Sequence, residues 1–415
     1  MKYESEATPL LTIVIPTRNR MPYAISAIQS ILEIADPRLE LVVQDNSDSR
    51  DLEGHIRENI LDNRLRYRYT PPPLSSIDNF NAAMELATGE YLCLIGDDDG
   101  VNPEIMAAAA WASREGLDAL VWRTSARYLW PGSGVPPTLC SRNSGGTLTI
   151  RPFLGSLVEP AVNVERETRM LLREGGIYYR RTGLPTLYHG LVHRRCLQAV
   201  YEKIGAYFGG LSPDIFAVLT IANFADRVAV VDYPLSIPGT CSVSGTAWFS
   251  RAKRAGRLED APPFRNRGEY HWCELVPRVY TEETVTAESG IAALRAVGRE
   301  DLVRELNLSK LAAYCIADND GTIGPVVRDM FSAMRILGRN RAVGTIQLAW
   351  SLISGPGARF GLRVWNRFLI VLGRRIVHSI SGLENMVEAS HALTGHLKEN
   401  GHTFGKCVRE GESRC

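Results

Sequence analysis

Short apolar runs alternate with segments of helical periodicity over residues 8–125. This alternation is typical of a parallel sheet whose strands are joined by helices. The predicted strands are 11–16, 39–44, 65–70, 91–96 and 119–130. The predicted helices are 22–35, 51–61, 79–87 and 103–114. The pattern therefore predicts an α/β fold with a mostly parallel sheet flanked by helices.

The pattern is less regular after residue 125. Residues 131–186 are rich in Gly, Pro, Ser and Arg, so we expect loops there. The predicted elements that follow are helices at 193–205 and 213–223 and a strand at 227–232. Most of the chain beyond 285 is predicted to be helical. We expect one domain at 8–240, with halves at 8–125 and 126–240, and a mainly helical C-terminal region at 241–415.

Composition and charge narrow the class of protein. The 415 residues carry 47 basic and 46 acidic side chains, and this near balance removes the electrostatic argument for nucleic-acid binding. The eight cysteines have no metal-binding spacing, which favours reduced thiols in a cytosol over a disulfide framework. The N-terminal sequence lacks the features of a signal peptide, and arginines interrupt the apolar run 362–380. We expect a cytoplasmic protein that does not span a membrane.

Polar clusters follow three of the predicted strands. They are Thr17–Arg20, Asp45–Asp48 and Asp97–Asp99. Ligands of open parallel sheets bind outside the carboxyl ends of the strands. We therefore expect the three clusters to form one nucleotide site.

The run Asp97–Asp99 is the strongest signal in the sequence. Adjacent carboxylates repel one another, and a hard divalent ion such as Mg²⁺ or Mn²⁺ relieves the repulsion. The alternative is a solvated acidic turn before the helix that Pro103 opens. The position directly after a buried strand favours the metal site.

The other two clusters have local explanations as well. Asp45 can accept a hydrogen bond from a nucleotide base, or it can form an Asx turn with the residues after it. Thr17–Arg20 can place backbone and arginine donors near a base or phosphate. It can equally be a plain turn between strand and helix.

The three segments LTIVIPTRNR, LELVVQDNSDS and DNFNAAMELATGEYLCLIGDDDGVNPE resemble the N-terminal half of family 2 glycosyltransferases. The resemblance covers about residues 10–125. It implies the GT-A fold, with 8–240 as the catalytic domain. It also implies transfer of a sugar from a nucleotide-diphosphate donor, with inversion and with Mg²⁺ or Mn²⁺ as cofactor.

The resemblance assigns roles to individual residues. Asp45 matches the residue that contacts the base, and the loop Pro16, Thr17, Arg18 and Asn19 lies where the family binds the nucleotide. Asp98 matches the principal metal ligand, with Asp97 and Asp99 beside it. The family often has an aspartate where this chain has Gly96. Which two of the three aspartates hold metal and ribose is therefore left open, with Asp97 and Asp98 expected at the nucleotide sugar.

The general base implied by the resemblance is Asp214. It lies in GGLSPDIF, where Ser212 is expected to cap a helix and Pro213 to occupy its first turn. The family commonly has Glu-Asp here and this chain has Pro-Asp. The alternative is an aspartate that only complements the helix dipole.

Other candidate groups remain open. His189 can approach a diphosphate or serve as a hydrogen-bonded structural residue, with the structural role favoured. The arginines that can bind diphosphate or form a solvated face are Arg180, Arg181, Arg194 and Arg195. Trp248-Phe249 can stack on an acceptor or belong to the core. The helix predicted at 362–380 can pack on the catalytic domain or lie on an anionic membrane.

The function that we expect is transfer of a sugar, with a UDP-sugar as the favoured donor, to a hydroxyl of a saccharide or lipid-linked saccharide. The C-terminal region provides a possible peripheral contact with the inner face of a membrane. One alternative is a nucleotidyltransferase, although PTRNRMPYA lacks the glycines of the usual phosphate loop. The other is a non-catalytic protein that binds nucleotide sugars.

Overall fold

A computed structural model describes residues 8–135, 145–243, 264, 266, 267, 269–318, 323–357 and 377–412. The strands of its N-terminal part are β1 Leu11–Thr17, β2 Leu39–Asp45, β3 Leu65–Tyr69, β4 Tyr91–Leu94, β5 Gly100–Val101, β6 Ala119–Trp122 and β7 Ala126–Leu129. The helices among them are α1 Met21–Leu32, α2 Asp51–Asn59, α3 Ser76–Met84 and α4 Ile105–Arg114. These elements confirm the strand and helix alternation predicted from the apolar pattern.

The middle of the chain adds strands and helices to this frame. Its strands are β8 Thr147–Ile150, β9 Ser156–Glu159, β10 Gly190–His193, β11 Val228–Asp232, β12 Ser236–Ile237 and β13 Gly239–Thr240. Its helices are α5 Val164–Arg173, α6 Arg194–Ile204 and α7 Pro213–Ile221. The segment 131–186 holds more than the loops that were predicted, because β8, β9 and α5 also lie there. The two strands have only four residues each, and the helical spacing of Val164, Thr168, Leu171 and Leu172 in α5 was overlooked among its charged residues.

An eight-stranded sheet in the order β3-β2-β1-β4-β10-β6-β11-β9 forms the centre of the fold. β2 pairs in parallel with β1 and β3, β1 with β4, and β6 with β11. β10 is inserted antiparallel between β4 and β6. The carboxyl ends of β1, β2, β4 and β6 therefore point to the same edge of the sheet, as does the start of β10.

Side chains of the central strands alternate between two hydrophobic cores. Ile13 and Ile15 of β1 belong to one core with α1 and α4, whereas Val14 belongs to the other with α3 and α6. Residues of a strand alternate between the two faces of the sheet, so both faces of β1 are covered. This two-sided burial explains why the strand reads as a continuous apolar run.

The predicted strand 119–130 is divided between two sheets. β6 lies in the central sheet, and β7 belongs to a four-stranded sheet in the order β13-β7-β8-β14, in which β14 is His378–Ser381. Residues 123–125 connect the two strands at the edge where β6 ends. An apolar run therefore predicted a single strand where the chain passes from one sheet to the next.

The C-terminal region is mainly helical, as predicted. Its helices are α8 Glu282–Ala296, α9 Glu300–Val303, α10 Leu308–Asp318, α11 Ile323–Ile336, α12 Arg341–Leu352, α13 Met386–Glu399 and α14 Phe404–Glu412. Its strand β14 His378–Ser381 pairs with β8. A third core joins α5 and α7 to the helices α8 to α12. The division of the chain at residue 240 stays a prediction, and two of the cores contain residues from both sides of it.

Residues 362–376 of the helix predicted at 362–380 lie outside the described residues, as does Trp248-Phe249. Residues 378–380 belong to β14 rather than to a helix. No helix within the described ranges is both long enough and apolar enough to cross a membrane.

Candidate active site

A cleft of about 1440 Å³ opens at the carboxyl edge of the central sheet. The loops after β1, β4 and β6 line it, together with the start of α7 and the residues around β13. The predicted site residues on its surface are Pro16, Thr17, Arg18, Asn19, Asp97, Asp98, Asp99 and Asp214. The structure therefore brings most of the predicted residues of the three motifs to one cavity.

Asp97 is held by the loop that follows β1. The Thr17 hydroxyl donates to Asp97 Oδ2 over 2.7 Å, and Arg20 Nη1 donates to Oδ1 over 2.9 Å. The same Arg20 nitrogen lies 3.8 Å from Asp98 Oδ1. Both oxygens of Asp97 therefore have protein donors, and Arg20 neutralises part of the acidic run.

Asp99 is surrounded by donors from three other segments of the chain. Tyr188 donates to its Oδ2 over 2.6 Å, and His189 Nε2 lies 3.2 Å from the same oxygen. The amides of Gly96 and Gly239 donate over 2.7 and 2.6 Å. Burial alone raises the pKa of Asp99, but His189 and the hydrogen-bond donors outweigh it and lower the pKa to about 2. Asp99 is thus a buried, ionised anchor of the loop.

Gly96 is the position at which the family often has an aspartate. A Cβ atom there would lie 2.9 Å from Asp99 Oδ2, 3.0 Å from the Tyr188 hydroxyl and 3.2 Å from Asp98 Oδ1. These atoms leave little room for a side chain, and the Gly96 amide is itself a donor to Asp99. The departure from the family motif is therefore accommodated by the packing around Asp99.

Asp98 has weaker protein partners than Asp97 or Asp99, and the Cys241 thiol is one of them. The Cys241 amide donates to its Oδ2 over a long 3.2 Å, and the Asp98 Oδ1 faces Arg20 only at 3.8 Å. Burial, and then the charges of Asp99 and Asp97, raise the pKa of Asp98 to about 7. Asp98 lines the cleft. Its nearest positive group is Arg20, at 3.8 Å.

The described residues contain no group of three or more His, Cys, Asp or Glu side chains placed to hold a metal ion. At phosphates, Mg²⁺ and Mn²⁺ are usually bound by one or two carboxylates together with phosphate oxygens. Asp98 fits that ligand set, because its carboxylate lines the cleft and has only weak protein partners. Asp97 and Asp99 fit it less well because their oxygens already accept hydrogen bonds.

Asp45 is placed differently from what its predicted role requires. It is fully buried and does not line the cleft, and its Oδ1 accepts from the Ser47 amide over 2.8 Å. Its Oδ2 accepts from the Tyr67 hydroxyl, also over 2.8 Å. The first bond is the Asx turn considered as the alternative. Contact of Asp45 with a base stays a prediction that this arrangement does not support.

The loops after β1 and β2 are joined by reciprocal hydrogen bonds. The Asn19 side chain donates to Asp48 Oδ2 over 2.8 Å and accepts from the Asp48 amide over 2.9 Å. Asn19 has a left-handed φ of 55°, and Arg18 donates to the same Asp48 over 3.3 Å. The nucleotide loop predicted from the sequence is therefore fixed by Asp48 rather than by Asp45.

Asp214 lies at the start of α7 and reaches the cleft. Its Oδ2 accepts from Arg180 Nη2 over 3.1 Å and from the Tyr179 hydroxyl over 3.2 Å. Pro213 occupies the first turn of the helix as predicted, but the Ser212 side chain makes no cap bond. Asp214 is thus oriented by two donors, both of which bind the same oxygen.

The segment before α7 is held by α8. Ser289 Oγ accepts from the amides of Leu211 and Ser212, each over 2.8 Å, and donates to the Val285 carbonyl. Gly210 has a left-handed φ of 60°, and a Cβ there would lie 2.7 Å from Ser289 Cβ. This close approach fixes the direction in which α7 presents Asp214.

We expect Ser289→Ala to destabilise the protein by about 1–3 kcal/mol, because two buried amides lose their acceptor. We also expect it to lower kcat for the reaction of the cleft while ligand affinity at the aspartate run stays unchanged. Urea denaturation and steady-state kinetics measure the two effects. Ser30→Ala is the matched control, since the Ser30 hydroxyl only donates to the Ala27 carbonyl within α1. Equal effects of the two substitutions would contradict a positioning role for Ser289.

Several site residues were not identified from the sequence as partners of the aspartates. Tyr188, Gly239 and Cys241 contact Asp98 or Asp99 from segments that carry no recognisable motif. His189 and Arg180 were candidate residues in the sequence, but their partners Asp99 and Asp214 could not be predicted. A positive φ of 56° at His189 marks the strained turn that aims this side chain at Asp99, and no sequence pattern predicts it.

One family model matches the chain. It is described as Glycosyl transferase family 2 and covers residues 12–128, which include β1 to β6 and the aspartate run but stop short of Asp214. None of the curated proteins matches the chain by sequence. The match agrees with the resemblance of the three N-terminal motifs.

Comparison with solved structures gives distant matches. S. aureus TarS 1–349 in complex with UDP-GlcNAc is 16% identical, covers 79% of this chain and 92% of its own, and has a TM-score of 0.42. S. aureus TarS is 16% identical with a TM-score of 0.40 over 83% of this chain, which spans 55% of its length. The mannosyltransferase PcManGT from Pyrobaculum calidifontis in complex with GDP-Man and Mn²⁺ is 17% identical, with 84% and 86% coverage and a TM-score of 0.38. Likenesses this distant do not decide the donor or mechanism of this chain.

Proposed function

We propose that this chain, whose residues 12–128 match the model of glycosyl transferase family 2, transfers a sugar with inversion from a nucleotide-diphosphate donor to an acceptor hydroxyl. The observation that carries the proposal is the shared cleft of Asp98 and Asp214. One is an incompletely satisfied carboxylate suited to a cation. The other is a carboxylate whose two donors bind the same oxygen, and it is suited to accept a proton.

The donor side of the proposed reaction lies over β1 and β4. Thr17 and Arg20 fix Asp97, and the network around Asp99 fixes the loop, so that Asp98 is presented to the cleft with little freedom. Asp98 would hold Mg²⁺ or Mn²⁺ together with diphosphate oxygens. When bound, the ion would neutralise charge on the leaving diphosphate.

The acceptor side lies toward α7. We infer that Asp214 takes the proton of the attacking hydroxyl, with Arg180 and Tyr179 holding the carboxylate in one orientation. Inversion needs a base on the face of the sugar opposite the leaving group. The positions of the aspartate run and Asp214 on separate elements lining one cleft are compatible with that requirement.

A UDP-sugar is the donor that we expect first, and a saccharide or lipid-linked saccharide the acceptor. We predict that UDP-glucose or UDP-N-acetylglucosamine together with Mn²⁺ raises the melting temperature more than either component alone. A ligand at 100 times its Kd stabilises the native state by about 2.7 kcal/mol. Differential scanning fluorimetry measures the shift, with UDP-sugar plus EDTA as the control. No shift with any nucleotide-diphosphate sugar would contradict the proposal.

A further inference from the structure

Three arginines form a second charged group in the cleft. Arg123 follows β6, Arg127 lies within β7 and Arg151 follows β8. All three line the cleft and have exposed side chains. We call Arg123, Arg127 and Arg151 the arginine triplet.

Strand register brings two members of the arginine triplet to one face of a sheet. Arg127 is directly opposite Thr149 in the antiparallel pair of β7 and β8, and Arg151 lies two residues beyond Thr149. The Arg151 amide continues the ladder by donating to the Ser125 carbonyl over 2.8 Å. Opposed and alternate residues share a face, so Arg127 and Arg151 are diagonal neighbours.

The electrostatics of Arg127 agree with this proximity. Loss of solvent inside the cleft, and then the charge of Arg151, lower the pKa of the Arg127 guanidinium. Like charges in a concave surface raise the local potential and attract anions. The arginine triplet therefore has an unrelieved positive field.

The arginine triplet differs from the other arginines of the cleft in its partners. Arg18, Arg20 and Arg180 pair with Asp48, Asp97 and Asp214 respectively. Within the described ranges, no member of the triplet forms an ion pair with a carboxylate. Arg127 has a neutral acceptor, Thr240 Oγ1, at 2.9 Å. Among the described residues, no carboxylate compensates the charge of the triplet, which leaves it available to a bound anion.

The position of the arginine triplet indicates which substrate it meets. In the sheet order β1-β4-β10-β6, the end of β6 lies two strands from the end of β4, or about 10 Å along the edge. The proposed nucleotide site extends from Asp98 toward β1, in the opposite direction. The triplet therefore lies on the side of the cleft where an acceptor would enter.

We propose that the arginine triplet binds an anionic group of the acceptor, a phosphate or a carboxylate, so that the acceptor class is an anionic saccharide or polyol. This assignment rests on the proposed function. Guanidinium groups form two parallel hydrogen bonds with either anion, which gives orientation as well as attraction. An acceptor anchored in this way would bring a neighbouring hydroxyl toward Asp214.

The test is isothermal titration calorimetry on the full chain with UDP and Mn²⁺ at saturating concentration, so that the donor position is occupied. The probes are glycerol 1-phosphate and glucuronate, and the neutral counterparts are glycerol and glucose. We expect the anions alone to bind, more weakly as NaCl is raised. Tighter binding of glycerol 1-phosphate assigns a phosphate, and tighter binding of glucuronate assigns a carboxylate.

Substitutions then locate the site. The double variant Arg127→Ala, Arg151→Ala should weaken anion binding at least ten-fold, whereas Arg127→Lys, Arg151→Lys keeps the charge and retains most of it. UDP affinity should be unchanged in both, which also shows that they are folded. Arg57→Ala is the matched control, because Arg57 is exposed on α2 and lies outside the cleft.

Three results would overturn the assignment. Anions that bind no better than the neutral probes, or equal losses in Arg57→Ala, show that the arginine triplet is not a site. Anions that bind only in the absence of UDP occupy the diphosphate position instead. If UDP itself does not bind, the proposed function fails, and titration without UDP decides separately whether the triplet binds anions.

Discussion

Asp214→Asn should lower the rate of sugar transfer about 100-fold or more while leaving donor binding intact. The amide has nearly the shape of the carboxylate and keeps an oxygen for Arg180 and Tyr179, so the start of α7 is preserved. It has no basic oxygen to accept the proton of the acceptor hydroxyl. The loss therefore falls on kcat rather than on the affinity for the nucleotide sugar.

The measurement is transfer from the donor found by the thermal shift, with donor Kd determined in parallel. Asp226→Asn is the matched control, since Asp226 is an exposed aspartate away from the cleft, between α7 and β11. Transfer by Asp214→Asn at the rate of the unsubstituted protein would mean that another residue is the base. A parallel loss of donor affinity would mean that Asp214 acts in binding.

Asp98→Ala should remove the part of the donor-induced melting shift that depends on Mn²⁺. Asp98 is the carboxylate of the run with the weakest protein partners, and its removal leaves the buried donors around Asp97 and Asp99 satisfied. Without the metal, the diphosphate loses a counter-charge, and the stabilisation of about 2.7 kcal/mol expected at 100 times Kd falls to the share of nucleotide contacts alone.

Asp99→Ala provides the contrast to Asp98→Ala. It leaves Tyr188, His189 and two amides without their common acceptor, so the free protein should lose about 3 kcal/mol or more of unfolding free energy. Asp98→Ala should leave the stability of the free protein nearly unchanged, because it removes repulsion as well as a weak hydrogen bond. If the Mn²⁺-dependent shift in melting temperature persists in Asp98→Ala, another residue binds the metal.

The sequence was sufficient for the fold because both faces of the central strands are covered. Continuous apolar runs such as Leu11–Thr17, and turns directly after them, identify buried parallel strands without any knowledge of their neighbours. The same logic placed three polar clusters at one edge. The order of the strands in the sheet could not be predicted in this way, because the insertion of β10 between β4 and β6 leaves no local pattern in the sequence.

That insertion explains most of what the sequence left out of the site. Tyr188 and His189 immediately precede β10 and meet Asp99 only because β10 lies beside β4, although Tyr188 and Asp99 are 89 positions apart. The arginine triplet depends on the pairing of β7 with β8, and β8 lies in a segment for which only loops were predicted. Asp45 is the opposite case. It lies at the end of a strand that was predicted correctly, but its side chain is buried and accepts a hydrogen bond from the Tyr67 hydroxyl.

The return of residues 377–412 to the first core has a consequence for how the protein is made. Met386 of α13 and Phe404 of α14 are buried in the core that β1 and α1 begin, and a Cβ on Gly100 would meet Met386 Sδ. A chain synthesised only as far as residue 376 leaves this apolar surface uncovered. The packing around β1 and α1 is therefore completed only after residues 377–412 have been made, and apolar surface stays exposed in the interval.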